Sequence, residues 1–330
     1  MYSWKKRSLI TIAALVVIPL SVGAVAASAT VKAPAVRQGA NARLFVGFSS
    51  PGLIDGLQRT WAQWTCKTVE AVGGKCTITN AENSDQKQNQ DVQDLMADGV
   101  NVLVIDPNGG AAIVPVIKEA NAKHIPVFTV DNMADGGKVV SAIHTDNYEA
   151  GYGAAQFCAK KHGGKGDVAE LQGLAGAQNV ITRNAGWLAG LKKSPGLHLV
   201  YNEYTSWSTA TAFADTQDLL EAHPNIACIW TQADIVAMGA AEAVSKIHKS
   251  NSVTIIGMGM YDGGPQAIAA GTITASWYME PQQTGQAAGR AVLEYWDGKT
   301  TPAQINVPLT FVTKANVAQF SGDPDVGVVK

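Results

Sequence analysis

The sequence predicts an α/β protein built as two doubly wound lobes, each around a mostly parallel sheet. Three observations carry that expectation. Short continuous apolar runs, such as V-L-V-I at 102–105 and V-F-T-V at 127–130, read as strands buried on both faces. They alternate with longer stretches whose apolar residues recur at helical spacing, the rhythm of a sheet covered by helices on both sides. The rhythm breaks at His144-Thr145-Asp146-Asn147 and then starts again, which suits two sheets better than one.

Taken in order, L-F-V-G-F at 44–48 is the first strand, followed by a Ser49-Ser50-Pro51-Gly52 loop and a helix over 53–71 that Gly73-Gly74 ends. A strand at 76–79 leads through a polar loop to a helix over 86–97, where Val92, Leu95 and Met96 keep helical spacing and Gly99 closes the end. The strand at 102–105 ends in Asp106-Pro107-Asn108, a helix covers 111–122, and the strand at 127–130 delivers Asp131 and Asn132. A short strand at 139–143 then enters the crossing at 144–147.

Beyond the crossing, helices are expected over 148–161, 179–191, 209–222, 235–246, 264–269 and 282–296. Strands are expected at 167–172, 198–204, 226–231, 253–258, 273–278 and 309–313. This order of elements suggests that the chain passes between the lobes more than once.

The 330 residues suffice for about two domains of ordinary size. A hydrophobic content of 46% and a net charge of -2 suit a globular protein and give no basic excess for nucleic acid. The N-terminus reads as a secretory signal peptide: Lys5-Lys6-Arg7, an apolar run over 9–25, and the small-x-small site Ala27-Ser28-Ala29. An uncleaved anchor is the alternative, but Pro19, Gly23 and the Ala-Ser-Ala site favour cleavage near Ala29 and a mature chain outside the cytoplasm. Residues 30–42 read as a flexible leader.

The four cysteines, Cys66, Cys76, Cys158 and Cys228, allow three pairings in an oxidising compartment. Cys66 and Cys76 are close in sequence and pair plausibly across Gly73-Gly74, with four buried thiols as the alternative. No C-x-x-C or H-E-x-x-H occurs and the six histidines are scattered, so neither a metal nor another cofactor is expected.

Ligands of open α/β sheets bind outside the carboxyl ends of the strands, which makes Asp131 and Asn132 candidates from position alone. Trp207 lies in the polar stretch N-E-Y-T-S-W-S-T, not in an apolar stripe, and suits a cleft better than a core. Asp234 suits a helix cap, and Gln232 beside it either lines or supports the cleft. The glycines of H-G-G-K-G-D precede a strand rather than open a helix, so they do not form a phosphate loop.

Several segments in order resemble the periplasmic sugar-binding proteins of ABC importers, nearest to the ribose-binding type. They are V-Q-D-L-M from Val92, I-P-V-F-T-V-D-N from Ile125, H-T-D-N from His144, E-L-Q-G-L-A-G from Glu170, L-E-A-H-P-N from Leu220 and T-Q-A-D-I-V-A-M-G-A from Thr231. The resemblance implies flavodoxin-like lobes joined by a three-stranded hinge. It places 43–145 plus 279–308 in one lobe and 146–278 plus 309–330 in the other.

It also implies a monomer that closes on one small sugar or polyol and delivers it to an inner-membrane ABC permease, with no catalysis. The ligand positions carried over are Asp131, Asn132 (Arg in ribose binders), Arg183, Trp207 and Ser50, with Gln232, Asp234 and Met279 at the same strand ends. Gly52 and Leu53 replace two aromatic residues, and polar contacts are lost at Ala233, Gly259 and Met279, with Tyr261 or Asp262 as substitutes. The ligand expected is therefore a smaller polyol, a deoxy sugar or a sugar in another pose, not ribose. A module that presents its ligand to a membrane sensor, or a cleft enzyme acting on sugars, is the alternative.

Overall fold

The computed structural model describes residues 30–31, 43–53, 56–250, 252–261 and 263–320. The signal peptide, most of the leader and Asp262 lie outside the described residues.

The first sheet has six strands, all parallel. In spatial order they are β13 (Gln304–Val307), β6 (Ser141–Thr145), β5 (Val127–Val130), β4 (Val102–Ile105), β2 (Phe45–Ser50) and β3 (Lys75–Asn80). Every residue of β4 and β5 is buried, as both-face coverage requires. The helices α1 (Gly56–Glu70), α2 (Asp85–Ala97), α3 (Val114–Ala122) and α9 (Pro281–Trp296) belong to this lobe.

The second sheet runs β14 (Thr310–Thr313), β11 (Ala275–Tyr278), β10 (Thr254–Gly259), β9 (Cys228–Thr231), β7 (Lys165–Gln172), β8 (Gly196–Tyr204). Only β14 is antiparallel to its neighbour. The helices α4 (Asn147–Lys161), α5 (Gln178–Lys192), α6 (Thr209–Ala222), α7 (Asp234–Lys246) and α8 (Gly264–Ala270) pack around it.

The chain crosses between the sheets at 145–147, 278–281 and 307–310. The sequence pattern missed β13, because Q-I-N-V carries too little apolar character to read as a strand; its register against β6 makes it an edge strand of the first sheet. The pattern also extended α3 too far. Residues 111–113 form turns, and the helix starts at Val114 with Pro115 in its first turn. Thr30–Val31, expected in the flexible leader, pair antiparallel as β1 with β12 (Thr301–Pro302).

Two disulfides tie helix to strand. Cys66 of α1 joins Cys76 of β3, with a Cα separation of 5.2 Å, and Cys158 of α4 joins Cys228 of β9, at 6.0 Å. Both separations lie within the span a disulfide bridges. Among the described residues no helix is long and apolar enough to cross a membrane.

Candidate functional site

The carboxyl ends of both sheets carry the polar residues. On the first lobe, β2 ends at Ser50, β4 runs into Asp106 and β5 into Asp131. Asp131 is half-buried and holds a left-handed backbone with φ of 58°, while its N–H donates to Ile143 O at 2.9 Å. A non-glycine residue in that region is uncommon and marks a position worth a functional question. Asn132 Nδ2 donates to Asp106 Oδ1 at 3.3 Å, so the neighbour of Asp131 is turned toward the end of β4. Ser50 is buried, and its hydroxyl donates to Gly52 O at 2.5 Å. It shapes the first loop.

On the second lobe, α5 brings Arg183 over the end of β9. This helix rides directly on α4: a Cβ on Gly151 or Gly186 would run into the backbone of the other helix. Arg183 is only 4% exposed. Its Nε donates to Asn147 Oδ1 at 2.8 Å and its Nη1 to Gln232 O at 3.0 Å. Burial pushes its pKa down, while Asp131 across the gap and the Tyr261 phenol favour the charged form. Guanidinium keeps its proton in such surroundings. A buried cation and a carboxylate from opposite lobes thus lie within electrostatic reach of each other.

Trp207 is half-buried beside this cation's lobe, in a left-handed backbone with φ of 58°. Its ring lies against Gly173, at the end of β7, where a Cβ would collide with it. Tyr261 stands in the same way over Gly259, at the end of β10. The β7 and β10 strands flank β9, two strand spacings apart, or roughly 10 Å. Two aromatic rings therefore stand on bare backbone on either side of the strand whose end holds Arg183.

Three of the expected ligand positions are engaged within the protein in this structure. Asp234 is fully buried; its Oδ2 accepts from Met260 N at 2.7 Å and its Oδ1 from the Ser276 hydroxyl at 2.6 Å. It ties the loop after β10 to β11, and the cap position of α7 is Ala233. Met279 is 3% exposed and packs in the apolar core at the second crossing. Gln232 supports rather than lines: its Nε2 donates to Glu170 Oε1 at 2.7 Å and to Val180 O at 3.3 Å.

Glu170 and Asn147 were not among the ligand candidates read from the sequence. Glu170 is fully buried, accepts from Gln232 and, at 2.5 Å, from Asn184 Nδ2, and is pushed up to about 7. Burial is the main cause; the Gln232 and Asn184 amides and the nearby Trp230 indole oppose it. No cluster of three or more His, Cys, Asp or Glu that could hold a metal occurs among the described residues.

Two α/β lobes with three crossings and polar strand ends facing each other define a cleft-binding protein. A family model for the periplasmic binding protein domain matches residues 46–300, and the chain belongs to that family. It is 32% identical to the ribose import binding protein of Bacillus subtilis over 253 residues, 75% of this chain and 80% of that one. It is 30% identical to the ribose import binding protein of Escherichia coli over 296 residues, 89% of this chain and 97% of that one. An ABC transporter solute-binding protein of Mycobacterium smegmatis, solved with bound glycerol, matches with a TM-score of 0.78 and 26% identity, covering 87% of this chain and 100% of that one. The family is one of periplasmic binding proteins rather than enzymes.

Proposed function

We propose that this chain is the extracytoplasmic solute-binding protein of an ABC-type importer, capturing a small carbohydrate or polyol between its lobes and passing it to an inner-membrane permease. The observation that carries this is a buried Arg183 on one lobe that feels the Asp131 carboxylate of the other, in a chain similar to ribose import binding proteins over most of its length. Vicinal hydroxyls are donors and acceptors together, and a carboxylate and a guanidinium plane each bind such pairs. An aromatic face packs on the C–H face of a sugar ring. Binding without turnover is the reading, in keeping with a family of binding proteins.

In this account Asp131, Arg183 and Trp207 touch the ligand, with Tyr261 beside them and Ser50 and Asn132 shaping the opposite wall. Residues 43–145 plus 279–308 and 146–278 plus 309–330 move as the two bodies. The signal peptide is removed near Ala29. The apolar Gly52, Leu53, Ala233, Gly259 and Met279 favour a ligand smaller or less hydroxylated than ribose.

A thermal-shift panel of glycerol, D-ribose, D-apiose, D-allose, D-fructose and myo-inositol tests this. A true ligand raises the melting temperature with concentration, as RT ln(1 + [L]/Kd) requires. A panel without any concentration-dependent shift would remove the polyol reading.

A further inference from the structure

Glu170 is a buried carboxylate that the proposed ligand contacts do not include, yet it sits directly behind them. It lies in β7, opposite Trp230 of β9 and Asn202 of β8. Its two oxygens accept from two amides, Gln232 Nε2 at 2.7 Å and Asn184 Nδ2 at 2.5 Å. Gln232 is also the residue whose main-chain oxygen receives Arg183 Nη1, and Asn184 follows Arg183 on α5. Glu170 therefore pins both the helix that carries the cation and the strand end that receives it.

We propose that Glu170 is a positioning residue whose carboxylate fixes the Gln232 and Asn184 amides and thereby holds Arg183 ready for the ligand, and whose neutral form loosens that hold, making capture pH-dependent. This rests on the reading of the cleft as a polyol site.

The chemistry is that of a donor count. A carboxylate only accepts, and both of its neighbours present N–H groups to it. A neutral acid has one O–H that must donate, so one of the amides has to turn its oxygen inward. Gln232 Oε1 is buried without a hydrogen-bond partner and is a ready acceptor for that proton. Turning it, however, would set this oxygen against Val180 O, which the Gln232 amide now donates to at 3.3 Å. Val180 is in the first turn of α5, one turn before Arg183. If Asn184 turns instead, α5 loses its own bond to β7. Either way the anchor of α5 weakens beside the binding cation.

The ionisable groups on the adjoining elements are Arg183 and Lys192 on α5, Tyr148, Glu149, Tyr152, Lys160 and Lys161 on α4, and His198, Tyr201, Glu203 and Tyr204 on β8, with Lys165 and Asp167 on β7 itself, while Cys228 of β9 is held in a disulfide. None of them is a cause of the upward shift at Glu170, which burial produces, so the carboxyl titrates on account of its enclosure.

The test is calorimetric titration of the mature protein with the tightest binder of the six-compound panel, from about pH 8 down to about pH 6, the range that brackets a carboxyl raised this far. Wild-type affinity should fall about three- to tenfold over that range, the worth of one intramolecular hydrogen bond. Glu170→Gln, which like the neutral acid has a donor group on one side and an acceptor on the other and does not titrate, should give a flat profile at the wild-type low-pH affinity. A flat wild-type profile, or a Glu170→Gln profile that still titrates, would overturn the proposal while leaving the polyol site intact. Wild type that binds no compound of the panel would remove the site reading and this inference together. If Glu170→Gln fails to fold, the 13C resonance of the Glu170 carboxyl in the ligand-free protein decides. A midpoint near 7 supports the proposal, and one in the ordinary carboxylate range overturns it.

Discussion

Asn147 Oδ1 receives Arg183 Nε at 2.8 Å, so the buried cation of the cleft is fastened to the residue at which the chain first crosses between the lobes. Binding residue and crossing are one hydrogen bond apart. A ligand that touches both Arg183 and the opposite lobe favours the closed form by those extra contacts.

Asn147→Ala removes the acceptor and leaves a guanidinium N–H unpaired in a buried place. A hydrogen bond to a charged group contributes about 1.5–3 kcal/mol. Ligand affinity should therefore drop by roughly tenfold or more in calorimetry, with a smaller fall in unfolding free energy. Unchanged affinity would show that Arg183 is held without Asn147.

The aromatic rings make a second prediction. Trp207→Ala should weaken binding by about 0.5–1.5 kcal/mol beyond the lost apolar area. Gly173→Ala should do similar harm without touching the ligand, because its Cβ would displace the Trp207 ring. Tyr261→Ala should change which polyols bind, and Tyr261→Phe should do so less. Ranking the panel by calorimetry for each variant checks all four; identical rankings across them would mean that neither ring faces the ligand.

Glu170 also gives a stability prediction whose sign is fixed. Its folded pKa is raised from 4.5 to about 7, so between those values the native state binds the extra proton. Stability then falls as pH rises through that window, by on the order of 3 kcal/mol from this group, and levels off above about pH 7. Urea unfolding of wild type and Glu170→Gln across the window should show this slope in the difference between them. Parallel curves would contradict it.

The disulfides differ in the loops they close, with sequence separations of 10 and 70 residues. On the chain-entropy account the longer loop gives the larger constraint, and each bridge is worth about 2–4 kcal/mol. Replacing Cys158 and Cys228 together by Ala should lower the melting temperature more than replacing Cys66 and Cys76. The reverse order in scanning calorimetry would show that packing, not loop length, governs.

Much of the fold was legible because central strands of both sheets are short runs buried on both faces, which local pattern captures well. V-F-T-V at 127–130 and the acid after it needed no tertiary information. The strand Gln304–Val307 was not legible, since it is an edge strand with polar alternation. Asp234 obeyed the local rule for a helix cap, but tertiary donors from Met260 and Ser276 took its carboxylate. Glu170 reads locally as the polar face of a strand, V-A-E-L-Q. Only the approach of α5 to β9 buries it and gives it partners, and no spacing rule reports that. Arg183 was found through the resemblance, whereas Asn147, which holds it, needed the packed helices α4 and α5.

The central claim is that one small ligand is held between the lobes by Asp131 and Arg183. Calorimetric titration of Asp131→Ala with the tightest binder of the panel tests it most directly. Loss of charge-assisted hydrogen bonds of about 1.5–3 kcal/mol each should weaken binding at least tenfold. The ligand-free melting temperature should stay close to wild type, because a half-buried strand-end residue is not core. Wild-type affinity in Asp131→Ala would place the site elsewhere and contradict the account.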